Sequence, residues 1–123
     1  MRKPILLAIL AIFVVGIATL AVTVTDVYNA PNPLVTQTTF SLVYYPTPYS
    51  FHSVVIKIYN LAMQQVDQPY ALNSDHVHWS GLDFDDETLA NGTYIYKAYV
   101  YELDEGVPYL LWQSSSKTMS ISR

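Results

Sequence analysis

Most of the chain beyond its first two dozen residues alternates apolar and polar side chains at every second position. The longest alternating stretch is the aromatic segment Tyr94–Leu103, which follows Asn91-Gly92 and a shorter segment ending in Trp79. Successive side chains of a β-strand point to opposite faces, so one set is predicted to face a core and the other the solvent. The predicted core set is Tyr94, Tyr96, Ala98 and Val100, and the outward set is Thr93, Ile95, Lys97, Tyr99 and Tyr101.

Shorter segments repeat this alternation before and after the aromatic one. Proline and glycine separate them, for example at Pro46, Pro48 and Gly106, where strands end or turn. After the apolar N-terminal run there is no 3.6-residue periodicity, so the pattern predicts an all-β chain. About seven short strands are typical of an immunoglobulin-like or fibronectin-III-like antiparallel β-sandwich. The predicted strands are TTFSLVYY, VVIKIY, the return segment after LAM, HVHW, the Tyr94–Leu103 segment, YLLW and KTMSIS.

The chain begins with an apolar segment, Ile5–Val24, which contains no charge and follows Arg2 and Lys3. It fits a signal peptide cleaved after small residues near position 18 or 21, or an uncleaved helix that anchors the chain in a membrane. We favour cleavage, because residues 22–25 alternate like a strand. Both interpretations place the rest of the chain outside the cytoplasm, at the cell surface or secreted. The predicted divisions are a leader helix (signal peptide or signal anchor) at 1–21, an extended entry segment at 22–35 and the sandwich at 36–123.

Composition narrows the function classes. Aromatic residues make up 14% of the chain, with eleven tyrosines, and charged residues only 13%, which argues against disorder. Cysteine is absent, which excludes disulfides and thiol catalysis. Beyond Val24, four basic residues stand against all ten acidic ones, so this part carries a net charge of −6. A surface of that sign repels phosphate backbones, and nucleic-acid binding is not predicted.

Three segments together resemble a known family: VYNAPNPLVTQTTFSLVYYP, VVIKIYNLAMQQV and VHWSGLDFDDETLANGTYIYKAYV. Their order is a Pro-Asn-Pro entry, a Thr-rich strand, an IYN strand, a Trp turn and a Gly-Thr-Tyr strand start. It is similar to the immunoglobulin-like domain family of the flagellar hook-capping protein and to related C-terminal modules of type IX-secreted surface proteins. The similarity covers residues 27–123, with Ser80 in place of an acidic residue and Met63 in place of a glycine. It implies scaffolding, adhesion or assembly, and carries over no catalytic residue.

The acidic turn Asp83, Asp85, Asp86 and Glu87 is a candidate calcium site, because carboxylate oxygens are the ligands that calcium prefers. The alternative is a solvated turn in which aspartates cap backbone N–H groups. We favour the turn, because the chain lacks the twelve-residue calcium loop with its terminal glutamate. No cofactor is predicted, and calcium is kept as the alternative.

Other candidate sites are weaker. His76 and His78 share one strand face, a spacing that suits a metal, but no third ligand is evident, and we interpret them as solvent-facing histidines. The chain has no nucleophile elbow, no H-E-x-x-H and no glycine-rich phosphate loop, so it is predicted not to be an enzyme. Asn91-Gly92-Thr93 fits the N-glycosylation acceptor pattern, and Asn91-Gly92 equally fits a tight hairpin turn.

The outward tyrosines Tyr59, Tyr99 and Tyr101 are the predicted interface, because tyrosine buries a large area and keeps a hydrogen-bonding tip. The alternative is that tyrosine simply suits a half-exposed strand. The sequence thus predicts an exported, non-catalytic immunoglobulin-like module that binds a protein partner, or copies of itself, at the cell surface. Two alternatives stay open: a self-assembling filament or surface-layer subunit that uses strand pairing, and a calcium-dependent adhesion module. Membrane contact is predicted only through the leader, if it is uncleaved.

Overall fold

The structure, a computed structural model, describes residues 21–123, which form β-strands joined by loops. Nine strands lie within these residues, all paired antiparallel with their neighbours. They are β1 (Thr23–Ala30), β2 (Thr38–Tyr45), β3 (Phe51–Tyr59), β4 (Gln65–Asp67), β5 (Tyr70–Ser74), β6 (His76–Trp79), β7 (Gly92–Asp104), β8 (Val107–Gln113) and β9 (Lys117–Ile121).

The strands form two sheets that pack as a sandwich. The smaller sheet has the order β1-β2-β6. The larger one has six strands: the path β4-β3-β7-β8, with β5 also pairing with β3 and β9 also pairing with β7. The thirteen-residue β7 is the longest of the nine strands, and it pairs with three of the others. The all-β prediction is therefore confirmed for the described residues, with the aromatic segment at the centre of the larger sheet.

The predicted core set of β7 is buried. Tyr94, Tyr96, Ala98 and Val100 are each at most 7% exposed. The Tyr96 ring meets Phe40 of the smaller sheet edge-on, with ring centroids 4.8 Å apart. Buried Trp79 satisfies its indole N–H by donating to the Asp67 carboxylate at 2.8 Å. Aromatic contacts thus join the inner faces of the two sheets, and the indole N–H of Trp79 has a hydrogen-bond partner.

Two strands, β1 and β5, are not among the seven predicted, and neither keeps a period of two over its whole length. In β1 a bulge between Val24 and Asp26 shifts the register, so the buried residues Val24 and Val27 are three positions apart. In β5, Tyr70 and Leu72 are exposed while Ala71 packs towards the core, so the segment is apolar on both faces. The predicted count of about seven strands is therefore corrected to nine within residues 21–123.

The predicted entry segment, residues 22–35, takes part in both sheets. Its first part forms β1 and pairs with β2. Leu34, which is fully buried, continues beside β9: its N–H donates to the Ser120 carbonyl at 2.8 Å, and Ser122 N–H donates back to the Leu34 carbonyl at 2.9 Å. This segment therefore covers part of the β9 edge.

The tight hairpin lies at Glu105-Gly106, not at Asn91-Gly92. Both Glu105 (φ 51°) and Gly106 (φ 79°) have positive φ, and the loop joins the paired residues Asp104 and Val107. Positive φ at both central positions is the geometry of a type I′ hairpin. By contrast, residues 80–91 cross from β6 in one sheet to β7 in the other. The hairpin prediction at Asn91-Gly92 is wrong, because its flanking strands belong to different sheets.

Residues 1–20 of the predicted leader lie outside the described residues. Within residues 21–123 there is no helix of the length and hydropathy needed to cross a bilayer.

Candidate binding surface

The outer face of the six-stranded sheet carries the side chains predicted as an interface. Tyr59 lies on β3, and Tyr99 and Tyr101 lie on the neighbouring β7. All three are partly exposed, whereas Tyr96, on the opposite face of β7, is 2% exposed. The pairing of β3 with β7 thus brings the three predicted residues onto one surface.

Two lysines occupy the middle of the same surface. Lys57 of β3 lies directly opposite Lys97 of β7 in the strand register. The Lys57 ammonium lies over the ring of Tyr99, 4.6 Å from its centroid, which is a cation–π distance. Among residues 21–123, the ion pairs within 4.0 Å involve Lys117 and His76, so neither Lys57 nor Lys97 has a carboxylate at that distance.

Three further residues of this surface were missed from the sequence. Tyr70 and Leu72 on β5 are 65% and 60% exposed, and Leu110 on β8 is 47% exposed. The register connects them: Leu72 pairs with Ser53, which pairs with Tyr101, which pairs with Leu110. The i, i+2 spacing of Tyr70 and Leu72 is the sequence signal that marks them as sharing a face. We call the whole surface the Tyr–Lys face; it comprises Lys57, Tyr59, Tyr70, Leu72, Lys97, Tyr99, Tyr101 and Leu110.

The acidic turn is a capped loop. The Asp83 carboxylate accepts hydrogen bonds from the backbone N–H groups of Asp85 at 2.8 Å and Glu87 at 3.0 Å. Asp86 adopts a φ of 59°, a left-handed conformation that aspartate tolerates. Phe84, at the centre of the turn, is 59% exposed. Within residues 21–123 no group of three or more metal-ligating side chains is placed to hold a metal ion. The calcium site thus stays a prediction, and the Asp83 hydrogen bonds are those of the capped turn.

A groove of about 360 Å³ runs beside this turn. Its lining includes the apolar residues Val66 and Leu89 and the amides of Asn60 and Gln64. These two amides bond to each other, with Asn60 Nδ2 donating to Gln64 Oε1 at 2.9 Å. The lining of the groove is therefore a mixture of polar and apolar side chains.

The two histidines of β6 are tied to their neighbours. His76 Nδ1 lies 2.8 Å from an Asp75 carboxylate oxygen, and His78 Nδ1 lies 2.8 Å from the Thr39 hydroxyl. The Tyr44 hydroxyl donates to the other Asp75 oxygen at 2.8 Å. Burial raises the pKa of the Asp75 carboxyl, but the hydrogen bonds from His76 and Tyr44 outweigh it, and the pKa is lowered from its ordinary value. The pair is thus part of a surface hydrogen-bond network on the smaller sheet.

The predicted glycosylation residue contacts the last residue of the chain. Asn91 Nδ2 donates to the Arg123 carbonyl at 3.2 Å, and Arg123 N–H donates to Asn91 Oδ1 at 3.0 Å. The Arg123 guanidinium also donates to the carbonyls of Leu89, Ser80 and Gly81. A glycan on Asn91 would be attached at an atom that is already hydrogen-bonded, so glycosylation stays a prediction.

Comparison with known proteins shows a likeness of fold. No protein-family model matches the chain, and no curated protein matches it. The chain is similar to part of the crystal structure of dimeric latent PorU from Porphyromonas gingivalis, with a TM-score of 0.61 and 22% sequence identity. The similarity covers 82% of this chain but 9% of the PorU chain. At this level of identity the likeness shows the fold: a β-sandwich that also occurs as one small part of a much longer protein.

Proposed function

We propose that this chain is an exported, non-catalytic immunoglobulin-like module that binds a protein partner, or copies of itself, at the cell surface. The Tyr–Lys face is its binding surface. The observation that carries the proposal is that the strand register brings exposed and half-exposed Tyr and Leu side chains of β5, β7 and β8 onto the outer face that Tyr59 of β3 also shares.

The composition of this face supports the proposal. Interface centres are enriched in tyrosine, since it loses little conformational entropy for a large buried area and keeps a polar tip. Contiguous exposed apolar patches on soluble domains mark interaction sites more often than isolated exposed residues do. The core residues of β7 are committed to folding, so the outward residues are free to serve a partner.

Two features of the sequence support the location. The sequence resemblance to modules of surface proteins supports a location outside the cytoplasm. The basic residues followed by an apolar run predict export.

The test is site-specific photo-crosslinking in cells that express the full chain. A photoreactive residue at Tyr101, inside the Tyr–Lys face, is expected to give discrete crosslinked products in the extracytoplasmic fraction. The matched control is Tyr45, which is 77% exposed on β2 of the other sheet and lies outside the face. Equal crosslinking at both positions, or none at Tyr101, would contradict the proposal.

Assembly through strand pairing is the first alternative. At β8, Pro108 disfavours the addition of a further strand. This strand ends the path of the larger sheet, yet it contains Pro108, which has no N–H to donate to an added strand. Calcium-dependent adhesion has only the acidic turn in its favour, and there the Asp83 carboxylate already accepts two backbone hydrogen bonds. Recognition by side chains of the Tyr–Lys face therefore remains the better-supported function.

A further inference from the structure

The lysine pair of the Tyr–Lys face is electrostatically unfavourable in the isolated molecule. Lys57 and Lys97 are directly opposed across β3 and β7, and like charges in that position destabilise a sheet. Beyond Val24 the chain has four basic residues against ten acidic ones, so half of its positive charge is concentrated at this one point. No carboxylate of residues 21–123 lies within 4.0 Å of either lysine. An anionic group placed between them would relieve the repulsion.

The residues around the two lysines indicate which kind of segment should carry that anionic group. Lys57 lies over the Tyr99 ring, and Tyr59 and Tyr101 lie further along the same strands. Aromatic and apolar side chains therefore flank the positive charge on the same surface. A segment in which an apolar side chain is flanked by carboxylates would complement both properties.

The chain itself contains such a segment in the loop Asp83–Glu87. Phe84 is 59% exposed, and four carboxylates lie within the same five residues. The loop is held in one shape, since Asp83 caps two of its N–H groups and Phe84 N–H donates to the Val66 carbonyl at 3.0 Å. No ion pair within 4.0 Å engages these carboxylates among the described residues. The apolar side chain and the negative charge of the loop are thus presented together and preorganised.

We propose that the acidic loop Asp83–Glu87 of one copy docks on the Tyr–Lys face of the next copy. The carboxylates lie between Lys57 and Lys97, and Phe84 packs among the tyrosines. This inference rests on the proposed function of the Tyr–Lys face and identifies the partner as a second copy of the chain. With one such contact between each pair of copies the association is heterologous, and it generates a string or ring of copies instead of a closed symmetric pair.

The test uses charge substitutions on each surface, in protein purified after expression of the full chain. The first variant, Lys57→Glu with Lys97→Glu, reverses the face and leaves the loop intact. The second, Asp85→Lys with Glu87→Lys, changes the charge of the loop from −4 to 0 and leaves the face and the capping Asp83 intact. In sedimentation velocity, each variant alone is expected to associate at least tenfold more weakly than the wild type. Wild-type association is expected to weaken at 1 M salt, where the Debye length falls to about 3 Å.

Mixing the two variants tests whether the loop of one copy binds the Tyr–Lys face of another copy. The first variant still has a native loop and the second a native face, so the mixture is expected to form one-to-one complexes that grow no further. Thermal melting checks that each variant is folded; if the glutamates impair folding, Lys57→Gln with Lys97→Gln replaces them.

Three results would overturn the inference. They are a wild type that stays monomeric at about 1 mM, a loop variant that associates as well as the wild type, and a mixture that forms no complex. The proposed function is judged separately by the crosslinks at Tyr101. If these capture a different protein while the loop variant behaves like the wild type, the binding face stands and only its occupant has been misassigned.

Discussion

Truncation of Tyr96 tests the division of β7 into a folding face and a binding face. Tyr96→Ala removes a side chain that is 2% exposed and meets Phe40 edge-on at 4.8 Å. Tyr99→Ala and Tyr101→Ala remove the same chemical group from the opposite face of the strand, where both are partly exposed. The three variants therefore compare one substitution in two environments.

The expected magnitudes follow from burial. Replacing a buried aromatic residue with alanine costs about 3–5 kcal/mol, and the edge-to-face contact with Phe40 places Tyr96 in the middle of that range, near 4 kcal/mol. For a domain of roughly 100 residues, 1 kcal/mol corresponds to about 4–8 °C, so the Tm should fall by about 16–32 °C. Tyr101→Ala should stay within about 0.5 kcal/mol. Tyr99→Ala should stay within about 1 kcal/mol, since it also loses the contact with Lys57.

The assay measures thermal and urea unfolding of the three variants by circular dichroism, with association measured on the same samples. Tyr96→Ala should lose stability, while the two outward variants should keep it and lose association, where tyrosine hot spots are worth about 2 kcal/mol or more. If Tyr99→Ala and Tyr101→Ala unfold the domain and Tyr96→Ala does not, the assignment of the two faces is inverted. If the outward variants change neither property, the aromatic face reflects strand propensity alone.

Three further outcomes are expected. Burial, with a smaller contribution from Asp26, raises the pKa of Tyr96 to about 12. The pKa in the unfolded chain is about 10, so the contribution of the protonated hydroxyl to the free energy of unfolding is complete below about pH 10. It is lost as the pH rises from about 10 to about 12. Urea titrations should show that Tyr96→Phe reduces this alkaline loss, and an equal loss in both proteins would contradict the assignment. Calcium should leave the Tm unchanged, whereas a rise that disappears in Asp83→Asn with Asp85→Asn would establish a calcium site. Gly81→Ala should destabilise the domain by about 1–3 kcal/mol in a melting experiment, because Gly81 has a φ of 73° and a Cβ there would meet the Arg123 guanidinium. Adding Arg123→Ala should remove only the steric part of this loss. Full recovery of stability in the double variant would show that backbone strain is unimportant.

Alternation along the sequence determined the fold class and the interior of the longest strand. Tyr94, Tyr96, Ala98 and Val100 are buried as their period predicts, because side chains on a strand have only two faces to choose from. The same rule placed Tyr99 and Tyr101 on the outer surface. Where a bulge breaks the period, as between Val24 and Asp26, the rule fails: the alternation at residues 22–25 indicates a strand, but the continuation of β1 to Ala30 is not predicted.

Tertiary structure decided everything that depends on which strands are neighbours. No local pattern shows that Lys57 lies opposite Lys97, or that Tyr70 and Leu110 extend one surface from strands far apart in the chain. The hairpin was misplaced for the same reason: Asn91-Gly92 has suitable turn residues, but its flanking strands lie in different sheets. Sequence period fixes the face on which a side chain lies, whereas register between distant strands is set by packing of the whole core, and only that packing assembles the Tyr–Lys face.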